Sequence, residues 1–117
     1  VNLENMPTIS THILDTARGI PAQGIRVTLQ SASGSDWKDL ATAATDADGR
    51  IPGLLPHGTE LAEGTYRLRF DVSAYFSEQR TRSFYPYVEV VFELGNEGHY
   101  HVPLLLSPWG YSTYRGS

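Results

Sequence analysis

The sequence predicts an all-β sandwich of antiparallel strands with one short helix. Apolar and polar residues alternate at period two over several short stretches, and clusters of Gly, Asp, Asn and Ser close them. One segment alone breaks the alternation. Strands of this kind present one face to a core and the other to water, the pattern of a two-sheet sandwich.

Eight strands are expected at about 8–15, 24–33, 37–45, 49–54, 65–72, 87–95, 98–106 and 111–115. In the first, Ile9, Thr11 and Ile13 form the core-facing set, which turns Ser10 and His12 to the opposite face. Ile25, Val27 and Leu29 repeat the rule in the second, and Gly34-Ser35-Asp36 turns the chain into the third. The turn Asp46-Ala47-Asp48-Gly49 leads into the short fourth strand, which Arg50 begins, with Ile51-Pro52-Gly53 following. Tyr66, Leu68, Phe70 and Val72 alternate with Arg67, Arg69 and Asp71. Ser73 to Arg82, with Ala74, Phe76 and Gln79 among polar residues, reads as the helix, Ser73 being placed to cap it. Val88, Val90, Phe92 and Leu94 resume the alternation with Glu89 and Glu93 outward. After Gly95-Asn96-Glu97-Gly98 the seventh strand points Val102, Leu104 and Leu106 inward and His101, Pro103 and Leu105 outward. Pro86 and Pro103 would interrupt a central ladder, so both are expected near an edge or a bulge.

At 117 residues the chain is expected to be one domain, 1–117, able to bury a core without staples. Residues 1–5, before Met6, are expected to be a vector-derived scar or the remnant of a cleaved leader. Nine basic against thirteen acidic residues give a net charge of −4 with no basic run, which argues against a phosphate-tracking nucleic-acid surface. No apolar run approaches a membrane span. With no Cys there is neither a disulfide framework nor a thiolate nucleophile. A cytoplasmic location is expected, or a periplasmic one if Val1 follows a cleaved leader.

The polar residues of greatest interest lie near the C-terminal end of the sequence. Tyr114-Arg115-Gly116-Ser117 offers a phenol, a guanidinium, a hydroxyl and, if the chain ends there, a carboxylate, a dozen residues beyond His99-Tyr100-His101. In a strand His99 and His101 share a face, and His12 sits on an outward face of its own strand. They could equally be surface imidazoles with no task. Arg50, on a tight corner, could present its planar fork to a carbonyl or simply be a solvated turn charge. His99 and His101 with His12 could hold a zinc, but no Cys, second His pair or helical i, i+4 spacing supports that reading. No Gly-x-Ser-x-Gly elbow is present, and His57 reads as a loop residue.

These residues resemble the transthyretin-related family, and within it the hydroxyisourate hydrolases. The resemblance runs from Met6 to Ser117 through Ser10-Thr11-His12-Ile13-Leu14-Asp15, Asp48-Gly49-Arg50, Phe84-Tyr85-Pro86-Tyr87-Val88, His99 through Pro108, and Tyr114-Arg115-Gly116-Ser117. It implies a prealbumin-like sandwich of two four-stranded sheets, and a hydrolase of purine catabolism that opens the ring of 5-hydroxyisourate to 2-oxo-4-hydroxy-4-carboxy-5-ureidoimidazoline without metal or other cofactor. It also implies that His12, Arg50, His101 and Ser117 are catalytic, that Tyr114, Arg115 and His99 bind substrate, and that the chain works as a homotetramer, a dimer of dimers whose outward sheet face walls a channel. A small-ligand carrier or binding module of the same fold is the alternative, since fold by itself does not fix function. Two histidines and an arginine on one wall speak against an apolar cargo.

Overall fold

The computed structural model describes residues 6–117; the expectation for residues 1–5 falls outside them. Eight strands and one helix follow in chain order: β1 (Thr8–Asp15), β2 (Ile20–Pro21), β3 (Arg26–Ser33), β4 (Asp36–Ala44), β5 (Gly64–Asp71), α1 (Ser73–Glu78), β6 (Val88–Leu94), β7 (His99–Ser107) and β8 (Gly110–Thr113). They form two four-stranded sheets, ordered β2-β1-β7-β8 and β4-β3-β5-β6. The two sheets and the short helix agree with the sequence, and the period-two alternation explains why. Ile9, Ile13, Val102, Leu104 and Leu106 of the first sheet are buried together with Val27, Leu29, Leu68, Phe70, Val88 and Leu94 of the second. Phe76 pins the six-residue helix to that core.

Four expectations about element bounds and capping are corrected. The segment 49–54 is not a strand: Gly49 and Gly53 have φ of +75° and +67°, Pro52 has no N–H to give, and only Arg50 bridges β1, opposite His12. The two-residue β2 was not anticipated, and it pairs with the end of β1 through Leu14↔Pro21 and Asp15↔Ile20. The helix stops at Glu78, and Arg80 turns the chain at φ +55°. Ser73 does not cap it; Val72 stands at the cap position in a helical conformation, with no side-chain bond.

Pro103 lies in the central strand β7 and not at an edge. It is tolerated because the β7–β8 ladder runs only from Ser107↔Gly110 to Leu104↔Thr113, one residue short of it. The Pro103 carbonyl accepts the Thr113 hydroxyl at 2.7 Å, so the missing N–H falls where β8 has run out.

The pairing that matters most for the site is β1 with β7. It corrects the expectation of antiparallel strands throughout: the pair is parallel, from Thr8↔His99 to Asp15↔Leu106, and joins segments near opposite ends of the sequence, a pairing that local alternation does not reveal. Register partners of a parallel ladder share a face, so Thr8, Ser10 and His12 stand on the same outer surface as His99, His101 and Pro103.

Candidate active site

Arg50 reaches this outer face from the side. Asp46 holds the turn before it, its carboxylate accepting the N–H groups of Asp48 at 2.9 Å and Arg50 at 3.0 Å. Gly49 then passes so close to β1 that its carbonyl accepts the Ile13 N–H at 2.8 Å. A Cβ on Gly49 would lie 2.4 Å from the Ile13 carbonyl oxygen, so only glycine fits there. The next residue, Arg50, is thereby locked opposite His12, and antiparallel partners share a face.

The imidazoles are held by hydroxyls. Ser10 Oγ lies 2.8 Å from His99 Nε2 and 2.7 Å from His101 Nδ1, and Thr8 Oγ1 bonds His99 Nδ1. The two rings stand nearly parallel, 15° apart, with centroids 6.4 Å apart. With Nδ1 occupied, His101 keeps Nε2 free for chemistry. Its pKa is lowered from the ordinary histidine value, first by burial and then by the positive charge of Arg50 and the neighbouring His99 and His12. A ring that resists protonation remains a base at neutral pH.

The segment 114–117 returns to this strand. After leaving β8 at Thr113 the chain rejoins β7 at Gly116, whose N–H donates to the His101 carbonyl at 2.8 Å. A Cβ on Gly116 would meet His101 Cδ2 at 2.5 Å, so a glycine is required for the backbone to lie against the imidazole edge. Ser117, the next residue, is exposed. Arg115 goes elsewhere: its guanidinium lies over the Tyr100 ring, 4.4 Å from the centroid, and Tyr100 shares the inward face of β7 with Val102. Together with Tyr114 and Val102 these two residues line a cavity of about 160 Å³ between the sheets.

Of the residues singled out from sequence, His12, Arg50, His99, His101 and the backbone before Ser117 therefore converge on one face. Arg115 and Tyr114 flank it from the inner side, and His57 is an exposed loop residue on a cleft of about 670 Å³ that also touches Ser10 and Arg50. The sequence reading missed Thr8 and Ser10 as partners of the histidines. Their outward parity was visible, but their pairing with His99 and His101 depends on which strands are neighbours. Among the described residues no three His, Cys, Asp or Glu side chains converge as metal ligands.

Fold and site together define a prealbumin-type sandwich that carries an imidazole and guanidinium cluster on the outer face of one sheet. The model of the HIUase/Transthyretin family matches residues 9–116. The chain belongs to that family. It is 52% identical to the 5-hydroxyisourate hydrolase of Mus musculus over 112 residues, which cover 93% of this chain and 94% of the mouse protein. Among solved structures it resembles the 5-hydroxyisourate hydrolase of Klebsiella pneumoniae, with TM-score 0.83 and 37% identity over 94% of this chain and 99% of that one. It also resembles sea bream transthyretin in complex with thyroxine, with TM-score 0.85 and 36% identity over 92% and 93% of the two chains.

Proposed function

We infer that the chain hydrolyses 5-hydroxyisourate. One observation carries this beyond the fold shared with a thyroxine carrier: a histidine with a depressed pKa and a free Nε2 stands beside His12 and Arg50 on one sheet face. Such a wall suits a polar, carbonyl-rich heterocycle and a proton transfer. It suits an apolar cargo poorly.

The reaction opens a cyclic amide: a water oxygen adds to the ring carbonyl, the carbon–nitrogen bond breaks, and the nitrogen leaves with a proton. His101 Nε2 takes the proton from the attacking water, and His12 orients the water and serves in returning a proton to the departing nitrogen. Arg50 polarises the carbonyl and stabilises the oxyanion, a contribution that reaches about 3–4 kcal/mol where a preorganised donor is lost. Ser117 positions the ring or the water from beside His101, and His99 completes the pocket, while Tyr114 lines the inner cavity beside Arg115 and Tyr100. In this reading Arg115 anchors the 114–117 segment rather than binding substrate, a role its stacking on Tyr100 supports.

The assembly we propose is a homotetramer in which this face becomes a channel wall. Two observations support it: β6 and β8 end their sheets without a partner strand among the described residues, and Ile20, Trp109 and Tyr111 are exposed apolar side chains. The test is the ultraviolet decay of 5-hydroxyisourate with and without protein that has been exhaustively chelated, with light scattering under the same conditions. Accelerated decay by a tetramer is expected. No acceleration would remove the hydrolase reading, dependence on added zinc would replace the metal-free mechanism, and a fully active monomer would remove the tetramer.

The depressed pKa of His101 gives this reading a pH signature. The base must be neutral, so activity is present above the folded-state pKa and is lost as pH falls through it. The acid limb of kcat/KM should therefore have its midpoint below the ordinary value of about 6.5. Arg50→Gln removes one of the charges that depress the pKa, and should move the His101 titration upward in an NMR experiment. A parent midpoint at or above 6.5 would contradict the assignment.

A further inference from the structure

We propose that Ser10 is the hub of a proton wire, Thr8–His99–Ser10–His101, that drains the proton taken by His101 to solvent and locks the two imidazoles into the same tautomer. The inference rests on the hydrolase reading for its use, but its geometry is independent of substrate.

A hydroxyl has one proton to give. Ser10 Oγ is within hydrogen-bond distance of His99 Nε2 and His101 Nδ1, and has no third partner among the described residues. With both rings neutral, a fully used hub leaves two arrangements. In the first, His101 Nδ1–H donates to Ser10, Ser10 donates to His99 Nε2, and His99 Nδ1–H donates to Thr8. His101 Nε2 is then a bare lone pair, the form a general base requires. In the second every donor is reversed: Thr8 donates to His99 Nδ1, His99 Nε2–H to Ser10, and Ser10 to His101 Nδ1, so His101 carries its proton on Nε2. Both rings are Nδ1–H or both are Nε2–H.

Passage between the two arrangements is a balanced proton transfer. When Nε2 of His101 accepts a proton from water, Nδ1 passes its own to Ser10 Oγ. Ser10 passes its proton to His99 Nε2, His99 Nδ1 passes one to Thr8 Oγ1, and the Thr8 hydroxyl releases one to solvent. One proton enters and one leaves. No imidazolium accumulates at His101, where burial first and then the positive charge of Arg50 oppose it. The exit is open, because Thr8 and His99 are exposed where Ser10 and His101 are half-buried. As Nε2–H is passed toward the departing nitrogen, the step in which His12 serves, the wire runs back in concert: a solvent proton enters at Thr8, one reaches His101 Nδ1 through His99 and Ser10, and the base is restored.

Ser10 is thus a positioning residue acting through His101. Its test has a kinetic arm and a spectroscopic arm. Ser10→Ala should lower kcat by about 10–100-fold with KM little changed, whereas Ser10→Thr, which keeps the hydroxyl on the same carbon, should stay near the parent. In the parent, imidazole ¹⁵N shifts at a pH where both rings are neutral should report equal Nδ1–H fractions in His99 and His101, and Ser10→Ala should make them unequal. Three results would overturn the wire: Ser10→Ala within about threefold of the parent, Ser10→Thr as impaired as Ser10→Ala, or unlike tautomers in the parent. If the parent does not act on 5-hydroxyisourate, the hydrolase reading falls by itself, and the ¹⁵N arm still decides the wire.

Discussion

His101→Asn should lower kcat by about 10²–10⁴-fold, the usual worth of a positioned general base, while fold and assembly persist. Asparagine is the right probe because its amide can still bond Ser10 where Nδ1 does now, at 2.7 Å, but offers no basic lone pair where Nε2 stood. The ring is half-buried on the outer face, not in the core, so little packing is lost. If His101 acts mainly in the transition state, kcat and kcat/KM fall together. Steady-state kinetics on correctly assembled protein decides the matter, and turnover within about threefold of the parent would refute the assignment.

The second large effect is expected from a residue with no side chain. Gly49→Ala places a Cβ 2.4 Å from the Ile13 carbonyl oxygen, at a φ of +75° that L-residues adopt at a cost of about 1–2 kcal/mol. Relief of the clash must pull the turn off β1 and break the Ile13 N–H bond to the Gly49 carbonyl, a further loss of about 0.5–1.5 kcal/mol. Together these should lower Tm by roughly 8–15 °C. They should also lower kcat, because Arg50 is positioned by that contact. Gly53 supplies the control: its φ is +67° but nothing lies within 4 Å of its added Cβ, so Gly53→Ala should show the conformational loss alone. Equal Tm values for the two variants would show that the approach of Gly49 to β1 does not hold the turn.

The strands were legible because their determinants are local. Period-two alternation in Ile25, Val27 and Leu29 or in Tyr66, Leu68 and Phe70 needs no knowledge of any partner, and each of these residues is buried. Errors arose where local and tertiary terms compete. Arg50-Ile51 looked like the start of a strand, yet the flanking glycines and Pro52 yield turns, and a single bridge to His12 is all that survives. Pro103 looked like an edge residue, because its tolerance in β7 depends on where β8 stops. The same limit governs the site. His12, His99 and His101 were recognisable by residue type and strand parity, and Arg50 by its turn. The bonds from Ser10 and Thr8 were not, since they follow from the parallel register of β1 on β7, a pairing between segments that share no local signal.

That register has a consequence for folding. The second sheet, β4-β3-β5-β6, is built from antiparallel neighbours and can form from the middle of the chain alone. The β1–β7 ladder instead closes a loop of 91 residues, and loop closure over such a distance must be met before the pairing is rewarded. Thr8 and Ser10 come from one end of that loop, His99 and His101 from the other. A half-folded chain with a complete second sheet therefore has strands and a helix, but neither the opposing layer that buries its apolar face nor the site. Hydrolysis and native topology appear together, which makes turnover a stricter report of complete folding than any measure of secondary structure.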